Sequence, residues 1–244
     1  MNSGFPRRAR PSLGFRSSFA RQHGAALIVA LLMLTVVLTL AVSAANMALQ
    51  GEKAARNDRD RQIALQAAEA ALLDAELDIE GSPPGETARS DLFGSEQMER
   101  IPNGCSPGAS RQFLGICTTD DRMAPAWQTV DFTDAGADAA SVPYGFFTGR
   151  AFQVGQGSLP ARLPRYIIEL GVHRNPDNSA VKPEAENVYR ITAVGFGTRE
   201  TTQVALQTLY RKKGRSKPET NVPVGRFSWR EIHNWEELRS GSQK

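Results

Sequence analysis

Between Ala25 and Gln50 the chain carries no charged side chain. An α-helix rises about 1.5 Å per residue, so a helix of this length reaches across a hydrocarbon core of roughly 30 Å. Any fold open to this chain must therefore place a long apolar helix in lipid or against other helices. An ordinary secretory signal has an apolar region of about 7–15 residues followed by small residues at the cut. This stretch is longer, although Val42-Ser43-Ala44 offers such small residues, so a discarded signal stands as the alternative to an anchor.

Charge sets the direction of insertion. Residues 1–24 contain Arg7, Arg8, Arg10, Arg16 and Arg21 and no acid, whereas the far flank mixes Glu52, Asp58 and Asp60 with Lys53, Arg56, Arg59 and Arg61. The positive-inside tendency keeps the N-terminus cytoplasmic and carries the bulk of the chain across. The same arginines account for the basicity: the chain is +3, and without those five it is −2. A nucleic-acid partner is thus not indicated, since the pI of 9.0 rests on the leader.

Beyond the apolar span the helix signal continues. Residues 62–79 are nearly all strong helix formers, with Leu65, Ala68, Leu72, Ala75 and Ile79 on one face and Gln62, Glu69, Glu76 and Glu80 on another. Gly81-Ser82-Pro83-Pro84 is a stop signal. The spacing predicts one helix over residues 25–80, apolar on nearly all sides in its first half (25–50) and on one side in its second (51–80). Within the first half, Thr35, Thr39, Ser43 and Asn46 fall within a quarter-turn. The hydroxyls either bond back to their own helix or mark a helix-packing stripe.

The exported part reads as an α+β domain over residues 81–213. Its first portion is rich in Gly, Pro, Ser and Asp, with a strand expected over 127–132; residues 163–174, 187–197 and 201–212 are better strands, in an antiparallel meander packed on the helix. Cys105 and Cys117 are an even, close pair: one disulfide in an oxidising compartment, two buried thiols in a reducing one, with export favouring the bond. The scattered histidines His23, His173 and His233 and the lack of a second cysteine pair leave no zinc set. Asp120, Asp121, Asp131, Asp134 and Asp138 lack EF-hand spacing and read as a solvated loop rather than a calcium site. No nucleophile elbow, phosphate-cradling loop or catalytic triad pattern is present, so neither an enzyme nor a cofactor is expected.

Residues 214–244 read as a polar tail holding a short amphipathic segment. Ser228-Trp229-Arg230-Glu231 fits a capping box, and Trp229, Ile232, Trp235 and Leu238 recur near helical spacing. Trp229 and Trp235 either pack on the parent domain or anchor a partner.

Two motifs carry a family resemblance. Arg21-Gln22-His23-Gly24 ahead of Ala25-Ala26-Leu27-Ile28-Val29-Ala30-Leu31 resembles the type III leader of type IV pilins, which a prepilin peptidase cuts after glycine before methylating the new amine. The run Arg59-Asp60-Arg61-Gln62-Ile63-Ala64-Leu65-Gln66-Ala67-Ala68-Glu69-Ala70-Ala71-Leu72 resembles the PilX family of minor pilins. Residues 165–169, 189–197 and 204–210 resemble that family's closing strands, and 225–231 its terminal motif.

The resemblance implies a type IV pilin-like fold with a membrane-spanning first half-helix, cleavage between Gly24 and Ala25, and N-methylation of Ala25. Most pilins carry glutamate at the fifth mature position; here it is Val29. PilX-like pilins and K-type pseudopilins of type II secretion share this loss, which implies a place at the filament tip. The implied partners are other minor pilins, the major pilin, the prepilin peptidase, the inner-membrane assembly platform and a PilY-type tip adhesin. A tip pseudopilin and a signal-anchored periplasmic binding domain are the alternatives.

Overall fold

The computed structural model describes residues 25–81, 89–93, 101, 104–105, 111–118, 124–170, 188–212 and 223–242. The chain forms two compact units, residues 1–53 and 54–244. Helix α1 (Ala25–Glu80) is the rod its composition predicts. It ends at Gly81, whose φ of 71° suits glycine and whose N–H reaches the Asp78 carbonyl at 3.2 Å.

In the second unit a seven-stranded sheet packs against the C-terminal half of α1. Its strands are β1 (Gly104–Cys105), β2 (Ile116–Thr118), β3 (Val142–Pro143), β4 (Arg165–Leu170), β5 (Val188–Phe196), β6 (Gln203–Arg211) and β7 (Gly225–Glu231). The order is β1-β2-β4-β5-β6-β7, with β3 sharing the β2 side of β4. Strands β4 to β7 form the expected antiparallel meander.

Three local expectations are corrected. The sheet is mixed, because β2 runs parallel to β4 with Ile116 opposite Ile168. A parallel pair needs a crossover of at least a dozen residues, and the segment between Thr118 and Arg165 supplies it. Where a strand was expected over 127–132 there is a short helix, α2 (Ala126–Thr129), whose first N–H donates to the buried Glu169 carboxylate at 3.0 Å. That tertiary acceptor is invisible to local propensity. Finally, the terminal segment forms β7 along β6 and then α3 (Trp235–Ser242), so Trp229 lies on a strand and the helix begins six residues later.

The meander separates two cores. On one face Ala64, Ala68, Ala71, Leu72, Ala75 and Ile79 of α1 meet Tyr166, Ile168, Tyr189, Ile191, Ala193 and Leu206. On the other, Trp127, Phe132, Ile167, Val194, Phe196 and Trp235 pack together, with Trp235 stacked on Trp127 at a centroid separation of 6.1 Å. Covered on both faces, β4 and β5 are buried along nearly their whole length rather than at alternate residues. Burying each large side chain stabilises the fold by about 1.5–3 kcal/mol.

The buried stripe of α1 is not quite the one expected. Leu65 is only half-buried, and the stripe is completed by Ala64, Ala67 and Ala71 together with three acids, Asp60, Asp74 and Asp78. Small residues let the sheet approach the helix closely, and the acids meet partners across the gap.

Candidate functional site

The first feature with functional meaning is the bare half of α1. Leu27, Met33, Leu40 and Met47 are 65% or more exposed among the described residues. It is long and apolar enough to cross a membrane. Ala25 and Val29 lie in its first turns; Gly24, the other side of the expected cut, lies outside the described residues. The hydroxyls of Thr35, Thr39 and Ser43 donate to the carbonyls of Leu32, Val36 and Thr39 at 2.8–2.9 Å. Back-bonding thus satisfies these donors within the helix, as hydrocarbon requires. Asn46 is exposed on the same stripe.

The second feature is the set of polar ties that fix the sheet to α1. Asp60 accepts from the backbone N–H and hydroxyl of Thr198, the hydroxyl of Thr202 and the Arg199 guanidinium. Burial alone would raise this carboxyl, but these donors outweigh it and hold the pKa at about 2. Asp78 pairs with buried Arg89 at 2.6 Å and accepts the Tyr166 hydroxyl at 2.9 Å. Arg89 in turn donates to the carbonyls of Gln112 and Leu114, and its guanidinium lies 3.5 Å above the Phe147 ring. Asp74 accepts from the Gly145 N–H at 2.7 Å and from the Thr148 hydroxyl, and burial pushes its pKa up. Three aspartates on one helix face thus hold the 198–202 turn, the 111–114 turn and the 143–149 turn.

The polar face of the helix is also occupied. Arg226 bridges Glu69 at 3.0 Å and Glu76 at 2.7 Å, the Trp229 indole N–H donates to Glu69, and Glu231 pairs with Arg61. The Tyr210 hydroxyl donates to Glu80 at 2.9 Å. These ties explain why 225–231 is a strand: each helix-facing residue of β7 finds a charged partner on α1. A sequence reading missed them because neither end of such a pair signals the other.

Of the two tryptophans, Trp235 is 4% exposed and packs within its own domain, while Trp229 is 49% exposed on the edge strand. Cys105 and Cys117 are opposite one another in the β1–β2 ladder and are joined in a disulfide. In the acidic stretch, Asp131 accepts from Thr133 and pairs with Arg239 at 3.2 Å, and Asp134 closes a turn on the Gly136 N–H. Asp120 and Asp121 lie outside the described residues.

Comparison with known proteins places these features. Residues 23–73 match the family model described as PilX N-terminal, and residues 105–212 match that described as type IV pilus assembly protein PilX C-term. No curated protein and no solved structure matches. The first match takes in the bare half-helix and the start of the aspartate face, the second the disulfide and the central strands β4 to β6; together they cover more than half of the chain, which belongs to the PilX family of type IV pilus assembly proteins.

Proposed function

We propose that this chain is a non-catalytic minor pilin that helps prime type IV pilus assembly in the inner membrane and then sits at or near the pilus tip. In this reading the N-terminus is cytoplasmic and the sheet domain periplasmic until the prepilin peptidase cuts after Gly24. The assembly platform then draws the subunit out, and its half-helix exchanges lipid for neighbouring helices. Other minor pilins and the major pilin are the partners, with a PilY-type adhesin as cargo.

The observation that carries the tip placement is Val29. A carboxylate at membrane depth costs several kcal/mol unless it is paired. A subunit with no neighbouring amine ahead of it gains by lacking that acid. A tip pseudopilin of type II secretion would share this feature, but the matched family is named for pilus assembly, which favours the pilus. Mass measurement of the mature protein tests the processing: the N-terminus is expected at N-methylated Ala25. A mature chain that begins after Ala44 or retains Met1 would overturn the reading.

A further inference from the structure

On the face of the sheet turned away from α1, α2 and α3 cover the end near Val194, Phe196 and Ala205. Toward the other end a pocket of about 300 Å³ is lined by Arg190 of β5, Gln207, Thr208 and Leu209 of β6, and Ser228, Trp229 and Arg230 of β7. Among the described residues that line it, two are cations and none is an acid.

Its polar groups are sorted by direction. Gln207 is 4% exposed; its amide nitrogen donates to the buried Thr192 hydroxyl at 2.8 Å, so its carbonyl oxygen faces Arg230. That oxygen accepts from Arg230 Nε at 3.0 Å and Nη2 at 2.6 Å, which fixes the guanidinium plane and consumes the amide's acceptor. Arg190 is held from the side by the buried carboxylate of Glu169, opposite it on β4, at 3.7 Å. The Ser228 hydroxyl oxygen accepts the Leu209 N–H at 2.9 Å, which leaves its O–H to donate. The Thr208 hydroxyl is turned away, donating to the Ser228 carbonyl. A guanidinium has five N–H donors and no acceptor. The pocket therefore presents donors, two of them charged and oriented by buried neighbours, and its amide acceptor is already engaged.

We propose that this pocket binds the carboxylate of an acidic peptide segment on a partner protein. Arginine forks match a carboxylate in plane and charge, and bonds of this kind are about twice as strong as neutral ones. The Leu209 side of the pocket and the adjoining strand β7, the last in the strand order, suit a polypeptide better than a free small anion. The site is separate from the bare half-helix and does not depend on where in the pilus the subunit sits.

The test is titration calorimetry of the full-length chain in detergent at about 50 mM salt, where screening is modest. The probes are an acetylated, amidated pentaglutamate peptide and inorganic phosphate. Pentaglutamate is expected to bind saturably, about tenfold more weakly to Arg230→Gln and to Arg190→Gln and severalfold more weakly to Ser228→Ala, which keeps every charge. Arg226→Gln removes the same charge on the opposite face, where Glu69 and Glu76 hold that residue, and is expected to change binding less than about twofold. Absence of peptide binding, an equal loss in Arg226→Gln, unchanged binding in Ser228→Ala, or phosphate binding tighter than the peptide would each overturn the proposal.

Discussion

A β-carbon added to Gly195 would sit 2.1 Å from the carbonyl oxygen of Ala64. The same atom would lie 2.3 Å from the Ala68 nitrogen, so the clash is with helix backbone rather than a movable side chain. Gly197, two residues on and facing the same way, would meet the Asp60 carboxylate at 2.4 Å. In the Gly195-Phe196-Gly197 segment the backbone at the end of β5 runs directly against α1, and the alanines at 64, 67, 68 and 71 give the helix the matching small surface.

Gly195→Ala is therefore expected to destabilise the domain by about 3 kcal/mol, the upper end for overpacking, since neither backbone can yield without moving a secondary-structure element. Gly51→Ala is the control: nothing lies within 4 Å of that glycine, and alanine is the better helix former by about 1 kcal/mol. Urea unfolding of the full chain in detergent should show a lower midpoint for the first variant and none for the second. Equal midpoints for Gly195→Ala and wild type would refute the close contact.

Acid should release the Asp60 tie. Its carboxyl has a depressed folded pKa, about 2 against an ordinary 3.8, so its stabilisation is fully present above pH 4 and is lost as pH falls from there toward 2. The loss is about 2 kcal/mol. Asp74 works in the opposite sense: its raised pKa means that protonation on acidification favours the folded form. In Asp60→Asn the acid limb of the stability profile should flatten and the neutral plateau fall, whereas Asp74→Asn should not flatten that limb. An unchanged acid limb in Asp60→Asn is the outcome that excludes this account.

The half-helix, the meander and the disulfide were legible in the sequence because each has a local cause: a run without charge, β-branched strands between turn residues, an isolated cysteine pair. Asp60, Asp74 and Asp78 were less so. They fall on the same three-and-four spacing as Ala64, Ala67, Ala71 and Ala75, so an acid on that stripe signals a buried partner; but Thr198, Gly145 and Arg89 are too far along the chain for periodicity to name them. The β2–β4 parallel pair and the Glu169 contact that starts α2 likewise arise only from the assembled sheet. The lure of helical spacing at Trp229, Ile232 and Trp235 failed because β7 is held by charges on α1, which outweigh a weak local preference.

The disulfide closes the β1–β2 ladder in a region with little apolar content, and Cys117 is fully buried. Replacing both cysteines with serine is expected to cost about 3 kcal/mol in the chain-entropy account of a loop this size. Thiol labelling of exported protein under denaturing, non-reducing conditions should find neither sulfur free. Two reactive thiols would be incompatible with the bond.

Processing is tested at Gly24. A bulky acid beside the scissile bond should block the peptidase, so Gly24→Glu is expected to accumulate as an uncut, membrane-inserted precursor with pilus assembly reduced. Gel mobility reads the outcome directly. Normal maturation of this variant would exclude cleavage after Gly24.

Val29→Glu tests placement in the filament. The residue is 54% exposed on the bare half-helix, so in the proposed assembly a carboxylate there would meet lipid first and neighbouring subunits afterwards. An ionised acid at that depth costs several kcal/mol, and taking up a proton reduces that cost. A subunit at the tip has no amine ahead of it with which to pair, so the substitution offers nothing and carries that reduced cost. Within the shaft the sign is opposite, because the new glutamate would meet an adjacent amine and improve incorporation. The measurement is the amount of this protein in sheared pili relative to the major pilin. Tip placement requires a partial fall or no change in Val29→Glu, and a rise would assign the subunit to the shaft.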